Sequence, residues 1–86
     1  MQEVTIYTKP LCSFCVRAIA LLNNKGAAIK NVSAAFSRAK REEMLSRSNG
    51  KTTYPQIFIG DTHVGGCDEL MALERAGKLE SLLNGQ

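Results

Sequence analysis

Two cysteines three residues apart stand between a strand-like run and a helix-like run, in Lys9-Pro10-Leu11-Cys12-Ser13-Phe14-Cys15-Val16-Arg17. Before them, Val4-Thr5-Ile6-Tyr7-Thr8 alternates and is rich in β-branched and aromatic residues, which reads as a strand. After them, Cys15, Ala18, Ile19 and Leu22 recur at helical spacing. A chain that passes from strand to helix here puts Cys12 at a helix N-terminus, where backbone N–H groups lack partners within the helix. Those groups and the helix dipole favour an anion, here a thiolate. Lys9 adds a positive charge nearby. A cysteine in such surroundings attacks disulfides at neutral pH.

Cys15 lies one helical turn further on, on the same face, so the two sulfurs can close a small ring. The helix buries it more than Cys12. Cys12 is therefore expected to attack, and Cys15 to resolve the mixed disulfide that results. The pairing of this spacing with a strand–helix–strand order supports a redox role. The opposing reading is half of a zinc site or a pair of buried structural thiols. Zinc knuckles, however, usually sit on Gly-rich turns of separate hairpins.

The 86 residues suit one small domain, 1–86, with a modest core. A hydrophobic share of 44% with mixed charges fits a soluble folded chain and not a disordered one. No apolar run approaches the length of a membrane span. Met1 leads into a strand within a few residues, without the basic and apolar regions of a signal peptide, so a reducing cytoplasm is expected. Three cysteines, an odd count, argue against a secreted disulfide framework. A net charge of +3 suits small acidic ligands or acidic proteins. It is too weak, and too poorly clustered with aromatics, for nucleic acid. Neither nucleic acid nor membrane is an expected partner.

Strands are expected over 3–8, 27–32 and 56–60, with a short one around His63-Val64. Helices are expected over 13–25, 34–47 and 68–76, the first ending at Gly26. The second would turn Ala35 and Ala39 inward, with Met44 and Leu45. Its run Arg38-Ala39-Lys40-Arg41-Glu42-Glu43 would be a solvated face with local ion pairs. Gly77 interrupts the last helix, and Leu79, Leu82 and Leu83 continue its apolar stripe. The order βαβαββα implies an α/β fold: a parallel pair, an antiparallel hairpin edge, and helices on both faces of the sheet.

Two further stretches carry chemistry. Thr53-Tyr54-Pro55 opens a strand with proline. Either the proline is an ordinary trans residue ending a loop, or it is cis and leaves the Tyr54 backbone free to bond an extended peptide-like substrate. Gly65-Gly66-Cys67-Asp68 precedes a helix. Its glycines allow a ligand to approach closely, and the helix N-terminus offers N–H groups to a carboxylate. Asp68 could grip an amino group, or simply cap the helix. Cys67 could equally be a small buried apolar residue. The residues alone leave this loop open between the two readings.

The chain resembles the glutaredoxins, most of all the bacterial glutaredoxin 3 type. The resemblance rests on Ile6-Tyr7-Thr8-Lys9, Cys12-Ser13-Phe14-Cys15, Lys40-Arg41-Glu42-Glu43-Met44, Thr53-Tyr54-Pro55-Gln56-Ile57-Phe58-Ile59 and Gly65-Gly66-Cys67-Asp68-Glu69-Leu70. It implies a thioredoxin fold with a four-stranded mixed sheet. It also implies reduction of glutathione mixed disulfides and of disulfide-containing or glutathionylated proteins, with electrons from glutathione. Cys12 would attack and Cys15 resolve. Lys9 and Gln56 would hold the glycine carboxylate of glutathione, and the Tyr54 backbone its cysteine. Cys67 and Asp68 would hold the γ-glutamyl end, with Phe14, Thr53, Pro55 and Gly66 completing the site.

Two residues depart from the family pattern. Ser13-Phe14 stands where many members have Pro-Tyr, and Tyr54 where most have Val. Ser13 can donate a hydrogen bond to a thiolate, which proline cannot. In the family, a small residue in place of that proline goes with a [2Fe–2S] cluster bridging two subunits, each supplying its first cysteine, here Cys12. Without the cluster, a metal-free monomer is expected. Two rivals are an electron donor linked to thioredoxin reductase and a non-enzymatic iron–sulfur carrier. A third is a zinc module using Cys12, Cys15, His63 and Cys67.

Overall fold

The computed structural model describes residues 1–85. In chain order it contains β1 (Val4–Thr8), α1 (Ser13–Asn24), β2 (Ile29–Ser33) and α2 (Arg38–Arg47), then β3 (Gln56–Ile59), β4 (Thr62–Gly65), α3 (Cys67–Arg75) and α4 (Leu79–Leu83). The strands form one mixed sheet in the order β2-β1-β3-β4. β1 runs parallel to β2, with Val4 opposite Ile29, and antiparallel to β3, with Ile6 opposite Ile57. β3 and β4 form a hairpin that sets Phe58 opposite His63 and Ile59 opposite Thr62.

β1 and β3 occupy the centre, and every residue of both is buried. The alternation in β1 therefore does not separate a dry face from a wet one. It sorts side chains between two cores. Val4 and Ile6 enter the larger core with Ala18 and Leu22 of α1, Ile57 and Ile59 of β3, Leu70 of α3, and Leu79 and Leu83 of α4. Tyr7 enters a smaller core with Val32, Ala34, Met44 and Phe58. Helices thus lie on both faces, with α2 alone on the second. The Tyr7 hydroxyl donates to the Glu43 carboxylate and accepts from Arg47 Nη1 at 3.2 Å, which fastens α2 to the central strand.

Two elements differ from the sequence reading. The second helix starts at Arg38, not at 34. Ser37 caps it, its Oγ accepting the Lys40 N–H at 3.3 Å. Ahead of the cap, Ala34 still belongs to the sheet end, its N–H donating to Thr8 O at 3.0 Å. Ala34 takes the buried place, Ala39 is exposed, and Met44 is the one buried side chain of α2. The last helix is in fact two, so the order is βαβαββαα. Gly77, at φ +70°, ends α3, and α4 begins at Leu79. The Lys25 ammonium bridges both, at 2.8 Å from Glu74 and 3.1 Å from Glu80. Among the described residues, no helix is long and apolar enough to cross a membrane.

The attachment of α2 through Met44 is testable by urea unfolding. Met44→Ala should destabilise the fold by about 2–5 kcal/mol. Ala39→Gln should change stability by less than about 0.5 kcal/mol. Equal losses from the two would mean that α2 buries a different face.

Candidate active site

β1 carries the chain directly to the site. Leu11 makes the turn with φ +57°, a left-handed conformation that costs a non-glycine residue about 1–2 kcal/mol. Cys12 then caps α1. Its backbone is extended and its sulfur accepts the Cys15 N–H at 3.2 Å. The sulfur so occupies the position in which a Ser or Asp oxygen usually caps a helix. Its carbonyl accepts the Val16 N–H at 3.1 Å, the first bond of the helical ladder. A hydrogen bond to sulfur strengthens when the sulfur is anionic.

The two thiols are unequal. Cys12 is 7% exposed and Cys15 3%. Burial, and then its hydrogen bond with the Cys12 sulfur, push the Cys15 thiol up to about 11, against the Lys9 backbone N–H, which lowers it. Cys15 is thus a protonated thiol at neutral pH. Burial also pushes the Cys67 thiol up, opposed by the Arg17 guanidinium. All three cysteines are free.

The Tyr54–Pro55 peptide is cis. A groove of about 170 Å³ is lined by Phe14, Thr53, Tyr54, Pro55, Gly66, Cys67, Asp68 and Glu69. Seven of the expected site residues therefore share one surface. Lys9 stands at its edge, with its ammonium 5.9 Å from the centre of the Tyr54 ring. Arg17 lies 6.0 Å from the Phe14 ring.

Gln56 does not line the groove. It is 2% exposed. Its Nε2 donates to Thr53 O at 2.9 Å and to Thr53 Oγ1 at 3.0 Å, and its Oε1 lies 2.7 Å from His63 Nε2. Strand alternation explains this. Gln56 shares a face of β3 with Phe58, in the smaller core, whereas Ile57 faces the larger one. Adjacency to Pro55 in sequence thus turns Gln56 away from the ligand side. With both amide hydrogens occupied it has none left for a carboxylate, which corrects the contact expected of it.

Asp68 is an acid of the first turn of α3, but it is not the residue that caps the helix. Gly66 is the N-cap of α3, and the Glu69 carboxylate accepts its N–H at 2.7 Å. Glu69 does the capping, while Asp68 is exposed and makes no side-chain hydrogen bond among the described residues. Glu69 was legible as an acid three residues after the cap, the spacing of a capping box. Gly65 is required beside it: at φ +115°, a Cβ there would fall 2.7 Å from Glu69 Oε1.

The residues of the zinc reading are not assembled. Among the described residues, no three His, Cys, Asp or Glu side chains are grouped to hold a metal ion. His63 stacks on Phe58, at 4.7 Å between ring centres, on the α2 side of the sheet.

The glutaredoxin family model matches residues 4–64. This chain belongs to the glutaredoxin family. It is similar to Glutaredoxin 3 of Escherichia coli strain K12, with 52% identity over 83 residues, 96% of this chain and 99% of the relative. The solution structure of glutaredoxin from Brucella melitensis superposes with a TM-score of 0.84 and 53% identity, covering 100% of this chain and 94% of that one. The crystal structure of the buckwheat glutaredoxin–glutathione complex gives a TM-score of 0.85 at 29% identity, covering 98% and 78%. This glutaredoxin has the thioredoxin fold of its neighbours, is of the bacterial glutaredoxin 3 type, and is a thiol–disulfide oxidoreductase.

The raised Cys15 thiol sets a pH dependence. An acid whose ionisation is disfavoured in the fold stabilises it fully below its unfolded value, near 9.0. That contribution is lost as pH climbs through about 11. Thermal unfolding of the reduced protein should show stability declining across this window. In Cys15→Ala the decline should be smaller. Ultraviolet titration of thiolates in Cys12→Ser should show Cys15 ionising at lower pH than in the parent, yet still above an ordinary thiol, because burial remains.

Proposed function

We propose that this glutaredoxin draws electrons from glutathione to reduce glutathione mixed disulfides and protein disulfides. The observation that carries the reading is the groove itself. It sets the Tyr54–Pro55 backbone edge beside a second helix start whose Asp68 carboxylate is unengaged, with Phe14, two residues after the helix-capping Cys12, on its wall. Such a surface suits a short peptide with a free amino end and carboxylates.

In the first step the Cys12 thiolate attacks the glutathione sulfur of a mixed disulfide. The Cys12–glutathione disulfide forms, the substrate S–S bond breaks, and the substrate thiolate leaves and takes a proton. In the second step a second glutathione thiolate attacks the glutathione sulfur on Cys12. Oxidised glutathione leaves and Cys12 is regenerated. With a protein disulfide, Cys15 gives up its proton and attacks the Cys12 sulfur instead. The internal disulfide that forms is later reduced by two glutathione molecules. The protonated state of Cys15 at neutral pH supports this division, since it does not compete for the first attack.

The Tyr54 backbone would pair with the glutathione cysteine as an added strand. The N–H groups at the start of α3 would receive the γ-glutamyl carboxylate, and Asp68 its amino group. Lys9, steadied by the Tyr54 ring, would meet the glycine carboxylate.

A coupled assay with glutathione, glutathione reductase and NADPH tests the reading. Cys12→Ser should abolish turnover of every disulfide. Cys15→Ser should keep deglutathionylation and lose most reduction of protein disulfides. Asp68→Ala should cut kcat/KM for a glutathione mixed disulfide by the equivalent of about 1–3 kcal/mol without changing the melting temperature. Turnover supported by thioredoxin reductase and not by glutathione would overturn the proposal.

Ser13 favours a second reading. It is exposed in the first turn of α1, a small side chain that leaves open space next to Cys12 in sequence. The room supports a [2Fe–2S] cluster shared by two copies, with Cys12 from each as ligand and glutathione supplying the other thiolates. When bound, the cluster would occupy the nucleophile. Anaerobic reconstitution with iron, sulfide and glutathione should give a coloured dimer, lost in Ser13→Pro and Cys12→Ser and kept in Cys15→Ser. A colourless monomer would remove this reading.

A further inference from the structure

We propose that His63 is a positioning residue for the substrate-docking loop. It braces the Gln56 amide, and through it Thr53 and the Tyr54–Pro55 edge that receives glutathione. The substrate part of this inference rests on the reading of the groove given above.

The orientation of the Gln56 amide follows from its partners. Thr53 O can only accept, so the group 2.9 Å from it is the amide nitrogen. The amide oxygen therefore faces His63 Nε2, at 2.7 Å. That oxygen can only accept, so His63 Nε2 carries a hydrogen and donates it. The bond persists whether or not the ring holds a second proton, because Nε2–H is present in both forms.

The imidazole is itself held. It stacks on Phe58 with 21° between the rings. Phe58 carries the Arg47 guanidinium at 4.1 Å and meets Tyr7 edge-on at 5.7 Å. The brace thus runs from a packed core face, through a ring of fixed plane, to an amide with no freedom left.

The loop needs such a brace. Lys51, Thr52 and Thr53 are exposed, so little packing fixes them. The two bonds from Gln56 to Thr53 join the loop to β3 just across the cis peptide. Without His63 the Gln56 oxygen would be a buried acceptor with no partner. Its amide would then reorient, and Thr53 would lose its two donors together.

His63→Phe keeps a stacking ring and removes the donor. His63→Gln restores an N–H at about the same reach, and His63→Asn offers one that falls short. The first readout is exchange of the Gln56 side-chain amide hydrogens by NMR in the reduced protein without ligand. His63→Phe should speed exchange of the Gln56 side-chain amide about tenfold and leave the backbone amides of Ala18 and Leu22 unchanged. His63→Gln should stay within threefold of the parent. The second readout is turnover of a glutathione mixed disulfide. His63→Phe should raise KM roughly three- to tenfold, the scale of one neutral hydrogen bond, with kcat and the alkylation rate of Cys12 within twofold. If His63→Phe does not fold, His63→Asn takes its place in both.

Unchanged exchange of the Gln56 side-chain amide, or failure of His63→Gln to restore it, would overturn the proposal. So would a fall in kcat together with slower Cys12 alkylation, which would put the effect on the nucleophile. If the parent does not turn over the glutathione substrate, the reading of the groove fails, and the exchange measurement still decides the role of His63.

Discussion

The hydrogen bond from the Cys15 N–H to the Cys12 sulfur is the contact on which the site depends. It makes Cys12 part of the secondary structure. A capping side chain must sit within reach of the first free N–H groups, so helix formation itself fixes where the sulfur lies. Because β1 is central and wholly buried, the helix that follows it starts from a rigid end of the sheet. The strained turn at Leu11 is the local cost of that direct passage from strand to cap.

The same contact separates the roles of the two thiols. Cys12 receives a backbone donor at the helix mouth, while Cys15 is turned one step deeper and is penalised for ionising by burial. A spacing of three residues thus yields chemically different groups without any change of residue type. The groove completes the arrangement with the cis Tyr54–Pro55 peptide and the start of α3 on its walls.

Much of this was legible in the sequence because it is encoded locally. The dithiol, the strand before it, Gly26 after the first helix and the Thr53–Pro55 and Gly66–Asp68 stretches are read within a few residues of themselves. What failed depends on distant partners. Ala39 looked inward because alanine fits a helix interior anywhere, yet from α2 the smaller core buries Met44, with Leu45 packed against it. Ser37 offered a capping signal that was passed over in favour of the preceding alanines. Gln56 was assigned through the family resemblance, but its partner His63 lies on the next strand, and that pairing needed the hairpin register. Glu69 acts on Gly66 at a recognisable spacing and was overlooked beside Asp68.

The inequality of the two cores has a dynamic consequence. The smaller one holds only five buried residues, and α2 is fastened to it by Met44, the Tyr7–Glu43 bond and the Arg47 side chain. Proteins open in cooperative sub-units whose cost follows the apolar contacts they break. α2 is therefore the sub-unit expected to detach first, well below the energy of global unfolding. Each such excursion lifts Arg47 from Phe58, the ring on which His63 rests. A helix that contributes nothing to the groove wall thereby shares a breathing motion with it, and the native ensemble couples the back of the sheet to its reactive end.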